Sequence, residues 1–211
     1  MRYGSMHTQT YYRRNMPHIV PPGGTLFITF RLAGSLPLAV IQQLQVELEA
    51  ALDMISQVIT AEEQNAAAVH RARKAYFGKF DAQLDGNSAG PQRLHQPAVA
   101  DLVKHEIELL AELGIDVLSY CIMPNHVHLV MQLPEVPDFS FGKLMQRLKG
   151  RTAYKANQLL QRNGPFWQHE SYDHLVRGIR ELERINAYVV MNPVKAGLVE
   201  NWEELPFTAL P

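Results

Sequence analysis

The chain has 211 residues, 46% of them hydrophobic, with a mean hydropathy of -0.16 and a formal net charge of -1, enough to bury a substantial core as one domain, residues 1–211. No run approaches the ~20 apolar residues of a membrane span and the N-terminus lacks an apolar leader, so the expected location is cytoplasmic and nucleoid-associated, with no membrane partner. Cys121 is the only cysteine, which excludes an internal disulfide and a thiolate-rich zinc site.

In chain order, Pro21-Pro22-Gly23-Gly24 is turn punctuation, and Thr25 to Phe30 after it predicts a first strand rich in aromatic and β-branched residues. From Leu38 to His70 apolar residues recur at helical spacing (Val40, Ile41, Leu44, Leu48, Leu52, Ile55, Ile59). Phe77 to Pro97, with Gly78, Gly86, Gly90, Pro91 and Pro97, reads as a loop, and Ala98 to Leu113 as a helix ended by Gly114. Ile115 to Ile122 and His126 to Met131 predict an antiparallel hairpin around Met123-Pro124-Asn125. Phe141 to Leu160 predicts a helix, His169 to Val176 a short strand, and Gly178 to Asn192 a last helix stopped by Pro193. The order predicts an α+β fold: four antiparallel strands with helices on one face, the other face free to present side chains. Residues 37–114 exceed a minimal crossover and are expected to contain an extended helical insertion after the first strand.

The charge is unevenly distributed. Pro37 to Val69 holds five acidic residues and no Lys or Arg, whereas Lys143 to Arg184 holds nine basic residues against four acidic ones. Lys143, Arg147, Arg151 and Lys155 recur every four residues, a stripe able to follow a phosphate backbone. Arg13 and Arg14 add unopposed charge near the N-terminus.

Two local patterns carry chemistry. His126 and His128 alternate with Val127, so on a strand both imidazoles project from one face. Alone, such a pair is more often a polar sheet face than a metal site; at the start of a strand followed by Leu129 and Val130 it suits rigid ligation. In the last helix Arg184, Tyr188 and Asn192 fall one turn apart, aligning a phosphate-binding cation, a nucleophilic phenol and a metal ligand. Tyr188 can also be read as a core residue, Asn192 before Pro193 as a helix stop, and Tyr172 as the second-choice nucleophile. Two imidazoles with an oxygen donor suit Mn²⁺, or Mg²⁺ when substrate phosphate completes the shell. Trp167 could stack a base if exposed.

Met123-Pro124-Asn125-His126-Val127-His128-Leu129, Gly164 to Glu170, Tyr172-Asp173, Val176-Arg177 and Tyr188 through Asn192 to Val199 together resemble the REP-associated tyrosine transposases, relatives of the single-tyrosine HUH transposases of insertion sequences. The resemblance covers about Tyr11 to Phe207. It implies a ferredoxin- or RRM-like HUH fold, with His126 and His128 as the histidine pair, Tyr188 as nucleophile and Asn192 as third metal-binding position. It further implies a Mg²⁺- or Mn²⁺-dependent enzyme that cleaves and rejoins single-stranded hairpin DNA through a 5′-phosphotyrosine, acting as a monomer or homodimer. Residues expected to contact DNA are Arg13, Arg14, Lys143, Arg147, Arg151, Lys155, Trp167, Arg177, Arg184 and Lys195. The rival readings are a noncatalytic single-strand-binding module and a metal phosphodiesterase that uses water.

Overall fold

Strand β3 (His126–Gln132) is buried over nearly its whole length, because it is a central strand with layers on both sides. The computed structural model describes residues 21–59, 61–87, 89–136 and 139–210; the expected contacts of Arg13 and Arg14 lie outside them. The other elements are β1 (Thr25–Leu32), α1 (Leu38–Val58), α2 (Glu62–Gly86), α3 (Pro97–Glu108), β2 (Asp116–Ile122), α4 (Phe141–Leu159), β4 (Trp167–Leu175), α5 (Ile179–Lys195) and β5 (Thr208–Ala209). The sheet order is β4-β1-β3-β2-β5, and every pairing is antiparallel.

The fold is α+β as expected, with two corrections. The sheet has five strands, not four: Thr208 and Ala209 pair with Cys121 and Tyr120, and two residues are too few to show a period of two. The helices cover both faces, not one. Leu26, Ile28, Phe30 and Leu32 of β1 and Val127, Leu129 and Met131 of β3 pack with Val99, Val103 and Ile107 of α3 and Leu144 and Leu148 of α4. The opposite face, where the alternation sends Phe27, Cys121 and Val130, packs with Phe77 of α2 and Val189 of α5. That is the histidine face, so it is roofed instead of free.

The roof comes from a segment that reads as a loop. α2 runs unbroken through Gly78 to Gly86, because its buried positions Phe77, Asp81 and Leu84 share one face and the burial of Phe77 and Leu84 outweighs the ~1 kcal/mol helix penalty of a glycine. By contrast α1 buries only Leu44 and forms a largely exposed hairpin with α2. Pro193 likewise does not stop the last helix. It sits inside α5 two residues before its end, where only one helical hydrogen bond is forfeited.

α3 and α4 are tied by charge as well as by apolar contact. Glu106 accepts from Arg151 Nε at 2.8 Å and from Lys155 Nζ. Its side chain is only 3% exposed, so burial pushes its carboxyl up, but the two cations outweigh this and hold it below its ordinary value of 4.5. A depressed carboxylate contributes stability that is present above the unfolded pKa and lost as pH falls through the folded one. Glu106→Gln is therefore expected to destabilise the chain by about 1–3 kcal/mol at neutral pH. In urea melts at a series of pH values, the gap to the parent should close below pH 4.5. Among the described residues no helix is long and apolar enough to cross a membrane.

Candidate active site

His126 and His128 leave β3 on the face beneath α2 and α5, and both are fully buried. Each ring is oriented through its δ nitrogen. His126 Nδ1 lies 2.6 Å from Asn125 Oδ1, and the Asn125 amide is itself fixed because its Nδ2 donates to the Leu84 carbonyl of α2 at 2.9 Å. The oxygen therefore faces the ring, His126 carries its proton on Nδ1, and Nε2 presents a lone pair. His128 Nδ1 meets Thr29 Oγ1, its cross-strand neighbour on β1, at 2.7 Å. The two Nε2 atoms converge to 3.0 Å. Nitrogens this close either share a proton or share a cation.

A carboxylate completes the group. Asp81 of α2, fully buried, brings Oδ1 to 3.3 Å from His128 Nε2 and 3.9 Å from His126 Nε2. Its other oxygen, Oδ2, accepts the hydroxyl proton of Tyr188 and lies 3.5 Å from Asn192 Nδ2. Asp85, one turn further along α2, reaches within 3.9 Å of His126 Nε2 and pairs with Lys195 Nζ at 3.3 Å. Lys195 Nζ also stands 5.6 Å from the centre of the Tyr188 ring. The phenol is packed edge-on to Phe27 and His128.

The electrostatics follow from burial and crowding. Burial, then the neighbouring His128, push His126 down to about 3, so it is neutral and available as a ligand. Burial works to raise Asp81, but His128, His126 and the Tyr188 hydroxyl hold it ionised, below the usual carboxylate range. Asp85 is raised by its own burial and by Asp81. Tyr188 is pushed well above an ordinary phenol, first by burial and then by the charge of Asp81 and the hydrogen bond to it.

These residues fit a divalent cation. Asp81 Oδ1, Asp85 Oδ1 and Asn192 Oδ1 are buried without a hydrogen-bond partner, an arrangement that costs free energy unless something else satisfies them. Asp81, His126 and His128 offer ligand atoms within 4.8 Å of one another. Two imidazoles with carboxylate and amide oxygens are a donor set for Mn²⁺, Zn²⁺ or Co²⁺, and for Mg²⁺ when more oxygen is supplied.

Of the residues anticipated from sequence, His126, His128, Tyr188, Asn192 and Lys195 meet here. Others do not. Trp167 is buried against Phe30 and Phe166 and donates from Nε1 to Thr152 Oγ1 at 2.8 Å, so it cannot stack a base. Lys143, Arg147, Arg151 and Lys155 belong to α4, on the sheet face opposite the histidines, and Arg151 and Lys155 are engaged by Glu106. Arg184 is exposed and donates to the Arg180 carbonyl instead of joining Tyr188; Arg177 is exposed at the entry to α5. Tyr172, the second-choice nucleophile, stacks on Phe77 at 4.0 Å, and burial raises it to about 12. Sequence reasoning misses Asp81 and Asp85. Their signal is the helical spacing Phe77, Asp81, Leu84, obscured by Gly78 and Gly86.

Residues 92–192 match the family described as "Transposase IS200 like". Over this segment the chain is similar to the IS200-like transposases. The matched segment includes His126, His128, Tyr188 and Asn192, whereas Asp81 and Asp85 lie upstream of it. A candidate REP-associated tyrosine transposase from Haemophilus influenzae is 31% identical over 102 residues, 44% of this chain and 58% of that protein. The REP-associated tyrosine transposase of Escherichia coli is 23% identical over 108 residues, 51% of this chain and 62% of that protein. The chain thus spans about three-fifths of the length of these relatives. Among solved structures, a REP-associated tyrosine transposase bound to a REP hairpin is similar with a TM-score of 0.48 and 16% identity, over 92% of this chain and 80% of that one. A candidate transposase from Deinococcus radiodurans has a TM-score of 0.30 and 11% identity, over 78% of this chain and 87% of that one.

Proposed function

We propose that the chain is a metal-dependent single-stranded DNA endonuclease and transposase that cleaves and rejoins hairpin DNA through Tyr188. The observation that carries this reading is the convergence of the Tyr188 hydroxyl and both histidine Nε2 atoms on one buried carboxylate, Asp81. A purely structural tyrosine needs no such company. In this reading the whole chain works as one HUH-type domain whose helical insertion supplies Asp81.

His126, His128 and Asp81 would hold the cation, with Asn192 Oδ1 and Asp85 as further donors. When bound it supplies polarisation of the scissile phosphate and withdraws charge from Asp81, which otherwise holds the phenol protonated. The remaining steps belong to the chain. Asp81 Oδ2, already hydrogen-bonded to Tyr188, accepts the phenolic proton as the oxygen attacks phosphorus. A tyrosine–phosphate bond forms, the bond from phosphorus to the 3′ oxygen breaks, and that oxygen leaves as a hydroxyl after taking up a proton. The phosphodiester energy is retained in the 5′-phosphotyrosine, so a 3′-hydroxyl can reverse the step without ATP. Lys195 beside the Tyr188 ring is placed to meet a phosphate, and Arg177 and Arg184 extend positive charge along the exposed side of α5. Lys143 and Arg147 would touch DNA only if it wrapped to the other layer. Arg13 and Arg14 remain part of the proposed DNA contacts.

The test is incubation with labelled single-stranded hairpin DNA and Mg²⁺ or Mn²⁺, followed by a denaturing gel and peptide mass mapping. A metal-dependent adduct on Tyr188 is the expected result. Cleavage without an adduct would assign the nucleophile to water, and binding with neither would leave a noncatalytic module.

A further inference from the structure

A second group of ligand-type side chains lies outside the candidate active site and shares no residue with it. His70 of α2, His174 of β4 and Glu181 in the first turn of α5 are each half-buried, and their ligand atoms all lie within 4.8 Å of one another. His174 Nε2 is 3.1 Å from Glu181 Oε1, and the two imidazole rings stand 5.3 Å apart with their planes inclined by 39°. Glu181 is held in place by its other oxygen: Oε2 accepts the backbone N–H of Arg177 at 2.8 Å, which leaves Oε1 turned to the histidines. α2 and, about a hundred residues later, the consecutive β4 and α5 therefore deliver two imidazoles and one carboxylate to a single spot. Arg177 and Lys74 face the same spot and would compete with a cation, which the Glu181 carboxylate offsets.

The geometry points to a second metal site, formed by His70, His174 and Glu181, that takes a borderline ion such as Zn²⁺ and staples the helical insertion to the tyrosine helix. Two histidines, one glutamate and an open fourth position suited to water are a donor set zinc accepts. The position gives the staple its meaning. From His70 the helix α2 runs roughly 16 Å to Asp81, and from Glu181 the helix α5 runs roughly 10 Å to Tyr188, at about 1.5 Å per residue. An ion bridging the starts of these stretches fixes the relative placement of the carboxylate and the phenol that meet at their ends. The site leaves the DNA chemistry to the first group.

The experiment counts zinc bound per chain after the metal-free full-length protein is dialysed against Zn²⁺, for the parent, His174→Ala, Glu181→Gln and His126→Ala. The parent is expected to bind two ions, and His174→Ala and Glu181→Gln to lose one each. Glu181→Gln retains an acceptor for the Arg177 N–H, so it decides the matter if circular dichroism shows that His174→Ala misfolds. Binding in both variants equal to that of the parent would overturn the second site. A parent with one ion, kept in His126→Ala and lost in Glu181→Gln, would support the staple while counting against the metal at His126. The two readings therefore fail separately.

Discussion

Tyr188→Phe is expected to abolish the covalent DNA adduct and lower metal-dependent cleavage on the order of 10⁴-fold or more, since an enzyme that loses its nucleophile keeps only binding and electrostatic contributions. The ring itself should stay where it is. Its edge contacts with Phe27 and His128 and the approach of Lys195 to its face do not involve the hydroxyl. The hydroxyl's hydrogen bond to Asp81 and its polar contact with Asn192 are lost, leaving Asp81 Oδ2 the weaker approach of Asn192 Nδ2 at 3.5 Å, a destabilisation of about 1–3 kcal/mol. Hairpin affinity in a gel-shift titration should therefore match that of the parent. If the phenylalanine variant cleaves at the parental rate, the phenol is only an aromatic wall and water is the nucleophile.

The second large effect falls on a residue outside the matched transposase segment. Asp81→Asn preserves size but removes the charge facing both histidines and the proton acceptor beside Tyr188. Divalent-ion affinity should drop at least ~10–100-fold, the loss typical when even an outer partner of a ligand is removed, and cleavage should fall with it. The sign separates three roles. A ligand role is rescued in part by raised Mn²⁺, a proton-acceptor role is not, and a mere lock on the phenol predicts faster adduct formation, because the charge of Asp81 is one cause of the raised Tyr188 pKa. Asn192→Ala assayed beside it reports whether the unpartnered Asn192 Oδ1 is also a ligand. Metal-dependent cleavage unchanged in Asp81→Asn would remove Asp81 from the site.

Residues that act through their near neighbours in the chain are legible in the amino-acid sequence. A strand of alternating His126, Val127 and His128 has only one way to present two imidazoles together, and a helix holding Tyr188 and Asn192 aligns them within one turn. Gly78, by contrast, looks like punctuation, yet the helix passes through it and ends only at Gly86, because Phe77 and Leu84 gain more by burial than the glycine costs. The basic stripe on α4 is only half legible for a related reason. Spacing reveals that Arg151 and Lys155 share a face, but not that Glu106 lies opposite. For Trp167, composition alone leaves exposure open, and packing against Phe30 closes it.

By itself the amino-acid sequence determined the hairpin that carries the histidines, the tyrosine helix and the α+β class, all set by backbone periods of two and 3.6 residues acting over a few positions. Only the tertiary structure decided that α2 roofs the histidine face and that Asp81 sits between the imidazoles and the phenol. The Asp81–Tyr188 hydrogen bond spans 107 residues and the Asp81–Asn192 contact 111. Contacts at such separation arise from how helix faces settle on the sheet, a through-space outcome of burial that no local spacing encodes.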